Sequence, residues 1–367
     1  MIAATTENAA DKAVETKPKK SSFYRPELDC LRFFAFLAVF IHHSIPKTPE
    51  FFHEHHLPTW LSNFGQAGAL GVDLFFCLSA FLITELLLRE KDQVGHLDVK
   101  AFYVRRILRI WPLYFAFLFF AFGLQFIDHT QHFSVTQLLM FIFLSGNWAA
   151  ATTVVQSVAV PLWSVSVEEQ FYLVWPWAVR KATRKQILVI CIIMIGIAFA
   201  WRAVLQIYWP DLIWNTTFSH LDSMGYGILL SLIGFRKRTP VWARLALLVA
   251  GLSMWFVAGG IQHHRDHVQM LAALGSIAIL RATLGIKLDN RILVKLGVIS
   301  YGLYVYHELF LNYWNRILPS THGKGFVLWW VLAFASTTIT ALASYRWLET
   351  PFLKLKERFT IVKSRPV

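Results

Sequence analysis

Charged residues are scarce in this 367-residue chain: Lys, Arg, Asp and Glu together make up 16% of it, against roughly 25% in an ordinary soluble domain. Acid is the scarcer sign, with 22 Asp and Glu against 35 Lys and Arg. Cysteine is scarcer still. Cys30, Cys77 and Cys191 lie in or beside apolar stretches without regular spacing, which argues against a disulfide or metal framework. The first 22 residues lack the apolar stretch and small-residue cleavage site of a signal peptide. No alternating strands of about ten residues suggest a transmembrane barrel. Nor is there a phosphate loop, a dinucleotide fingerprint or a nucleophile elbow.

Apolar residues fill the space left: 56% of the chain is hydrophobic, with 31 Phe and 15 Trp, and the mean hydropathy is +0.48. Long apolar runs recur from residue 31 to residue 346. Helices satisfy their own backbone hydrogen bonds in lipid, so the expected class is all-α, a polytopic transmembrane helical bundle. The net charge of +13 would suggest nucleic acid in a soluble protein. Here the enrichment of cytoplasmic loops in Lys and Arg accounts for it, and no nucleic-acid partner is expected.

Basic clusters mark the inner side. They are Lys17 to Arg25, Arg89 to Arg109, Arg180 to Lys185, Arg236-Lys237-Arg238, Arg281 to Lys295 and Lys354 to Lys363. A span needs about 20 mostly apolar residues, and the chain must cross an even number of times between clusters. Segments 29–47 with 70–89, 111–127 with 168–180, 186–207 with 221–235, 241–260 with 268–283, and 293–314 with 326–346 satisfy this. The result is ten crossings in a multi-pass cytoplasmic (inner) membrane protein with both termini inside. Residues 1–22 read as a disordered cytoplasmic tail, 23–352 as the transmembrane domain and 353–367 as a cytoplasmic basic tail. Segment 137–150, QLLMFIFLSGNWAA, breaks the parity. It is either an incomplete, re-entrant or interfacial helix, or an extra crossing.

Chemistry-bearing residues sit within these runs. In LRFFAFLAVFIHH (31–43) the eleven-residue step from Arg32 to His43 returns to the same helical face, about 16 Å along the axis. Asp29 lies near the same stripe, and His42 points a quarter-turn away. GVDLFFCLSAFLIT (71–84) carries Asp73, Ser79 and Thr84. A carboxylate there could orient a neighbouring histidine; a solvated boundary aspartate is the bland alternative. FYVRRILRIWPLYF (102–115) clusters Arg105, Arg106 and Arg109, which either follow the positive-inside bias or bind phosphate. In PLWSVSVEEQFYLVWP (161–176), Glu168 and Glu169 are adjacent and Glu168 shares a face with Tyr172. Asp222 and His307 are further polar groups in apolar segments, costly there without a purpose. HEHH (53–56) and HHRDH (263–267) read as exposed loop histidines rather than a zinc site, and no metal is expected. Asn215-Thr216-Thr217 is a glycosylation sequon by pattern only.

Together these segments resemble the integral-membrane acyltransferase 3 family, which includes bacterial O-acetyltransferases of surface polysaccharides. The resemblance runs from about residue 24 to 352. It rests on ELDCLRFFAFLAVFIHH, GVDLFFCLSAFLIT, FYVRRILRIWPLYF, LWSVSVEEQFYLVWP, HLDSMGYG, LGVISYGLYVYHELF and YRWLETPF, in the family's order. The family's arginine and histidine separated by ten residues select Arg32 and His43. Ala80 departs from the family's usual glycine after the serine.

The resemblance implies transfer of an acyl group, usually acetyl, from cytoplasmic acetyl-CoA or another acyl-CoA. The acceptor would be a hydroxyl of an extracytoplasmic glycan or lipid-linked sugar. Many relatives carry an extra C-terminal extracytoplasmic domain; this chain ends soon after Pro351, so such a partner is expected to be a separate protein. On this reading Arg105, Arg106 and Arg109 hold the coenzyme A phosphates and Arg32 guides the phosphopantetheine arm. His43 is the general base, oriented by Asp73 or Glu169, with a transient acyl-histidine as the alternative, while Glu168, Tyr172, Asp222 and His307 line the substrate site. A transporter or flippase using the same polar residues as a substrate or proton path is the rival from another class.

Overall fold

In the computed structural model the described residues are 23–45, 52, 58, 60–233, 239–262, 264–288, 290–318 and 323–362. The tail 1–22, the HEHH run, the Arg236-Lys237-Arg238 cluster and the final five residues lie outside them.

Among the described residues the structure is helical without a strand; one isolated antiparallel bridge joins His132 to Gln156. In chain order the helices are α1 Pro26–Ser44, α2 Trp60–Ala67, α3 Gly71–Val94, α4 Val99–Leu124, α5 Val135–Ile142, α6 Gly146–Thr152, α7 Leu162–Lys181 and α8 Arg184–Tyr208. They continue with α9 Leu221–Ile233, α10 Val241–Gly260, α11 Arg265–Thr283, α12 Arg291–Val298, α13 Ser300–Ile317, α14 Gly323–Ser344 and α15 Thr350–Lys356. Local chemistry sets their ends. Pro26 opens α1 with Glu27 and Asp29 in its first turn, where acids suit the dipole. Asp98 caps α4, and capping boxes Ser134/Gln137 and Thr183/Gln186 start α5 and α8. Gly95, at φ 78°, ends α3 in the left-handed region.

A helix lies at each of the ten positions expected from charge and hydropathy. Among the described residues five stretches are long and apolar enough to cross a membrane by themselves: Trp60–Val94, Val99–Leu124, Arg184–Tyr208, Val241–Gly260 and Gly325–Phe359. The most apolar window of the first is 83% buried in protein, whereas those of α8 and α10 are 22% and 17% buried. The bundle is therefore layered. α3 runs through its centre, packed by α1, α7, α9 and α11, with α8, α10 and α14 outside. Outward Val189, Ile192 and Ile193 on α8, and Val249 and Leu252 on α10, are of a kind suited to lipid. α9 packs so closely on α3 that a Cβ at Gly227 would run into the Cys77 carbonyl.

Segment 137–150 does not form one helix. α5 and α6, of eight and seven residues, are separated by Phe143–Ser145, with Leu144 at φ 57°. Each spans only about 12 Å, well short of a ~30 Å hydrocarbon core. At the far end of the chain, residues 350–359 stay helical and pack on α4, burying Leu353 and Lys356.

Candidate active site

Three cavities succeed one another through the bundle, and α3 alone records their order. Leu86, Ile83, Leu82 and Ser79 line the first, Ser79, Phe76, Phe75 and Val72 the second, and Val72, with Ala69 in the turn just before α3, the third. Their enclosed volumes are about 40, 90 and 400 Å³ respectively. From Leu86 to Val72 is about 21 Å along the helix, so the series extends through most of a bilayer core. α1 lines the same passage in the opposite sense, with Arg25, Asp29 and Arg32 at the first cavity and Val39, His42 and His43 at the third.

Arginines gather at one end. Arg32, Arg106 and Arg109 line both the first and second cavities. Arg106 and Arg109 are three residues apart and share a face of α4. Arg105 is about 100° away, and the expectation that it joins them is corrected by its partners. Its guanidinium pairs with Glu90 at 2.7 Å and donates to the Phe359 carbonyl at 2.7 Å. Arg105 ties α4 to α3 and to the C-terminal helical turn; it does not face the passage. Arg32 lies 3.9 Å from Asp29, and Arg106 lies over the rings of Phe102 and Tyr172.

The two glutamates divide in the same way. Glu168 lines the second cavity, accepting from Ser79 Oγ at 2.7 Å and from Tyr172 OH at 3.2 Å. Glu169, one residue on, accepts from Trp111 Nε1 at 3.0 Å and lines none of the three cavities. Its expected role beside His43 is therefore not what the geometry holds.

His43 is at the other end. His307 is fully buried behind it, and its Nδ1 meets the Tyr304 carbonyl at 2.6 Å. A carbonyl can only accept, so that nitrogen carries the proton, and neutral His307 presents a lone pair at Nε2. His43 Nδ1, 2.8 Å away, then donates to it, which places the lone pair of His43 on Nε2. The two rings stack at 5.0 Å, and the Glu308 carboxylate lies 3.7 Å from His43 Nδ1. His307, expected at the substrate site, lines none of the three cavities and lies behind His43. His42 donates from Nδ1 to the Gly65 carbonyl at 3.0 Å and also lines the third cavity.

Asp73 does not orient His43. Its Oδ1 accepts from His220 Nδ1 at 3.0 Å and from Ser223 Oγ at 2.8 Å, while His220 Nε2 meets the Trp214 carbonyl at 2.9 Å. This fully buried group braces α3 against α9. Asp222, also expected in the substrate site, pairs with Arg202 at 2.7 Å, both side chains 1% exposed, and lines none of the three cavities. It locks α9 to α8. His220 heads the HLDSMGYG segment and Glu308 follows His307, so both were in view in the sequence, but nothing in their spacing named their partners.

The third cavity is polar along one wall, with Thr130, Gln131, Gln156, Ser157, Asn312 and Arg316, and aromatic at Trp163 and Trp214. Arg316 is clamped by Asp128 at 2.6 Å and donates to Thr130 Oγ1 at 2.6 Å. Slight burial opposes ionisation of Asp128, but bonds from Thr130 and Arg316 outweigh it and hold that carboxyl below its usual range. Among the described residues two groups bring three ligand-bearing side chains together. In His43, His307 and Glu308, two of the ligand nitrogens already bond each other; His264, Asp266 and His267 sit largely exposed.

These features define a helical membrane protein with a series of adjoining cavities inside it, a cationic cluster toward one end and a histidine pair toward the other. Residues 25–346 match the acyltransferase-domain family Acyl_transf_3, and the chain belongs to that acyltransferase 3 family. It is 26% identical over 369 residues to peptidoglycan O-acetyltransferase OatA of Listeria monocytogenes, covering 90% of this chain and 56% of that protein. It is 27% identical over 364 residues to O-acetyltransferase OatA of Staphylococcus aureus, covering 90% and 57%. The chain thus spans a little over half the length of these relatives. No solved structure matches it.

Proposed function

We propose that this protein is a membrane O-acyltransferase that moves an acyl group, acetyl in the first instance, from acyl-CoA to a glycan or lipid-linked sugar hydroxyl. The observation that carries the reading is the passage itself, with Arg32, Arg106 and Arg109 at one end and His43 at the other. The basic end is the cytoplasmic one, by the positive-inside rule, in a ten-span inner-membrane arrangement with both termini inside.

Guanidinium groups suit bidentate binding of the donor's phosphates, and Arg32 lies about 16 Å from His43 along α1, a distance for an extended pantetheine arm to bridge. His43 Nε2 takes the proton of the acceptor hydroxyl as its oxygen attacks the thioester carbonyl. The carbon–sulfur bond then breaks, and the thiolate recovers that proton from the imidazolium. His307 holds His43 in the required tautomer, and Glu308 stabilises the imidazolium while it carries the second proton. The hydrogen-bonding wall of the third cavity, with Trp163 and Trp214, suits a carbohydrate acceptor, and the names of the OatA relatives support that class.

A transporter or flippase would use the same passage without a thioester. Titration of purified protein with acetyl-CoA separates the readings. The acyltransferase binds it, and Arg109→Ala weakens that binding about tenfold or more, the worth of a charge-assisted contact. Absence of binding to the wild-type protein would sink the enzyme reading.

A further inference from the structure

The second and third cavities share two lining residues, Val72 of α3 and Tyr304 of α13. Between these, consecutive residues of α7 part company: Trp163 lines the third cavity and Ser164 the second. Tyr304 OH and Ser164 Oγ are 2.7 Å apart, and Ser164 donates to the Pro161 carbonyl at 3.1 Å, so Tyr304 donates to Ser164. Phe75 braces the Tyr304 ring edge-on at 5.8 Å, and Phe76 does the same for Trp163 at 6.4 Å. Val72, Trp163 and Tyr304 are each 6% exposed. Three helices thus close a collar between the cavity that receives the donor and the cavity that holds His43.

We infer that this collar, with Val72 as the apolar residue common to both cavities, selects the acyl group by its cross-section. The inference rests on the acyl-transfer reading and adds a selectivity rule to it. An acyl chain enters the collar end-on, leading the thioester carbonyl toward His43. A straight chain is no wider than the pantetheine arm behind it, so length alone is a weak criterion here. A branch on the carbon next to the carbonyl must pass between Val72 and the Tyr304 ring before the carbonyl can reach His43. Overpacking there keeps the carbonyl short of its attack position. The Tyr304–Ser164 bond holds the opposite wall in place and shields a thioester still waiting in the second cavity from water in the larger one.

The test is competition between acetyl-, butyryl- and isobutyryl-CoA, with transfer to an acceptor glycan measured in reconstituted membranes. Product ratios are independent of how much protein folds. Val72→Ala is expected to raise the isobutyryl:acetyl ratio about tenfold, the scale for a methyl-sized change in an apolar pocket, with a much smaller change in butyryl:acetyl. Val72→Ile is expected to lower the isobutyryl:acetyl ratio. Tyr304→Phe is expected to raise thioester hydrolysis relative to transfer. If wild-type protein transfers acetyl but both Val72 variants keep its isobutyryl:acetyl ratio within twofold, the collar is not the filter. If wild-type protein transfers none of the three, the acyl-transfer reading falls first.

Discussion

At the scale of single residues, a backbone carbonyl decides which histidine nitrogen can act. The Tyr304 carbonyl fixes His307, His307 fixes His43, and the lone pair lands on His43 Nε2. Replacing His307 with Phe keeps a ring in the pocket and removes the acceptor. It is expected to lower kcat about 10²-fold through misplacement of His43, with the KM for acyl-CoA little changed; a proportional rise in KM would point to general disruption instead. His42→Ala is expected to cost far less than His43→Ala, because the Nδ1 of His42 serves the Gly65 carbonyl, whereas that of His43 is engaged by His307. The twin histidines were separable in the sequence through the eleven-residue step from Arg32. What stands behind them was not. His307 is 264 positions from His43, and the partner of Asp73 is 147 positions away; no local pattern records such pairs.

At the scale of helices, one residue of phase separates function from framework. On α4, Arg106 and Arg109 face the passage and Arg105 faces Glu90; on α7, Glu168 faces it and Glu169 faces Trp111. The sequence reveals these charges as clusters, and the 3.6-residue period says which share a face. The period alone does not say which face turns inward, since that is set by the neighbouring helices. Arg109→Ala is expected to raise the KM for acyl-CoA at least tenfold with folding intact. Arg105→Ala should lower the unfolding midpoint in detergent instead, leaving Glu90 buried without its partner. Arg202→Met should be more damaging still, because loss of one member of a deeply buried pair costs about 3–5 kcal/mol, read as a fall in thermal stability. The break at Phe143–Ser145 belongs to this scale too. Segment 137–150 is apolar enough to cross, yet Leu144 takes a left-handed conformation and the run divides in two.

At the scale of the whole molecule, ten helix positions and the family were legible in hydropathy, charge and motif order. The passage was not, because it is made by side chains from five helices, α1, α3, α4, α7 and α13. The rim of its third cavity carries a pH-sensitive clamp. The Asp128 carboxyl is depressed by Thr130 and Arg316, so its contribution is complete above the ordinary carboxylate range near about 4 and is lost as pH falls through its lower folded value. Any stability difference between wild type and Asp128→Asn should therefore be present at pH 6 and vanish toward pH 2; a difference that grows on acidification would contradict the clamp.

The central claim is that donor binding and proton transfer sit at opposite ends of one passage. Parallel measurement of acetyl-CoA affinity and acyl transfer for His43→Ala tests it most directly. The account expects affinity within about twofold of wild type and transfer reduced at least about 10²-fold, the scale of a lost general base. Transfer at the wild-type rate by correctly inserted His43→Ala protein would contradict it.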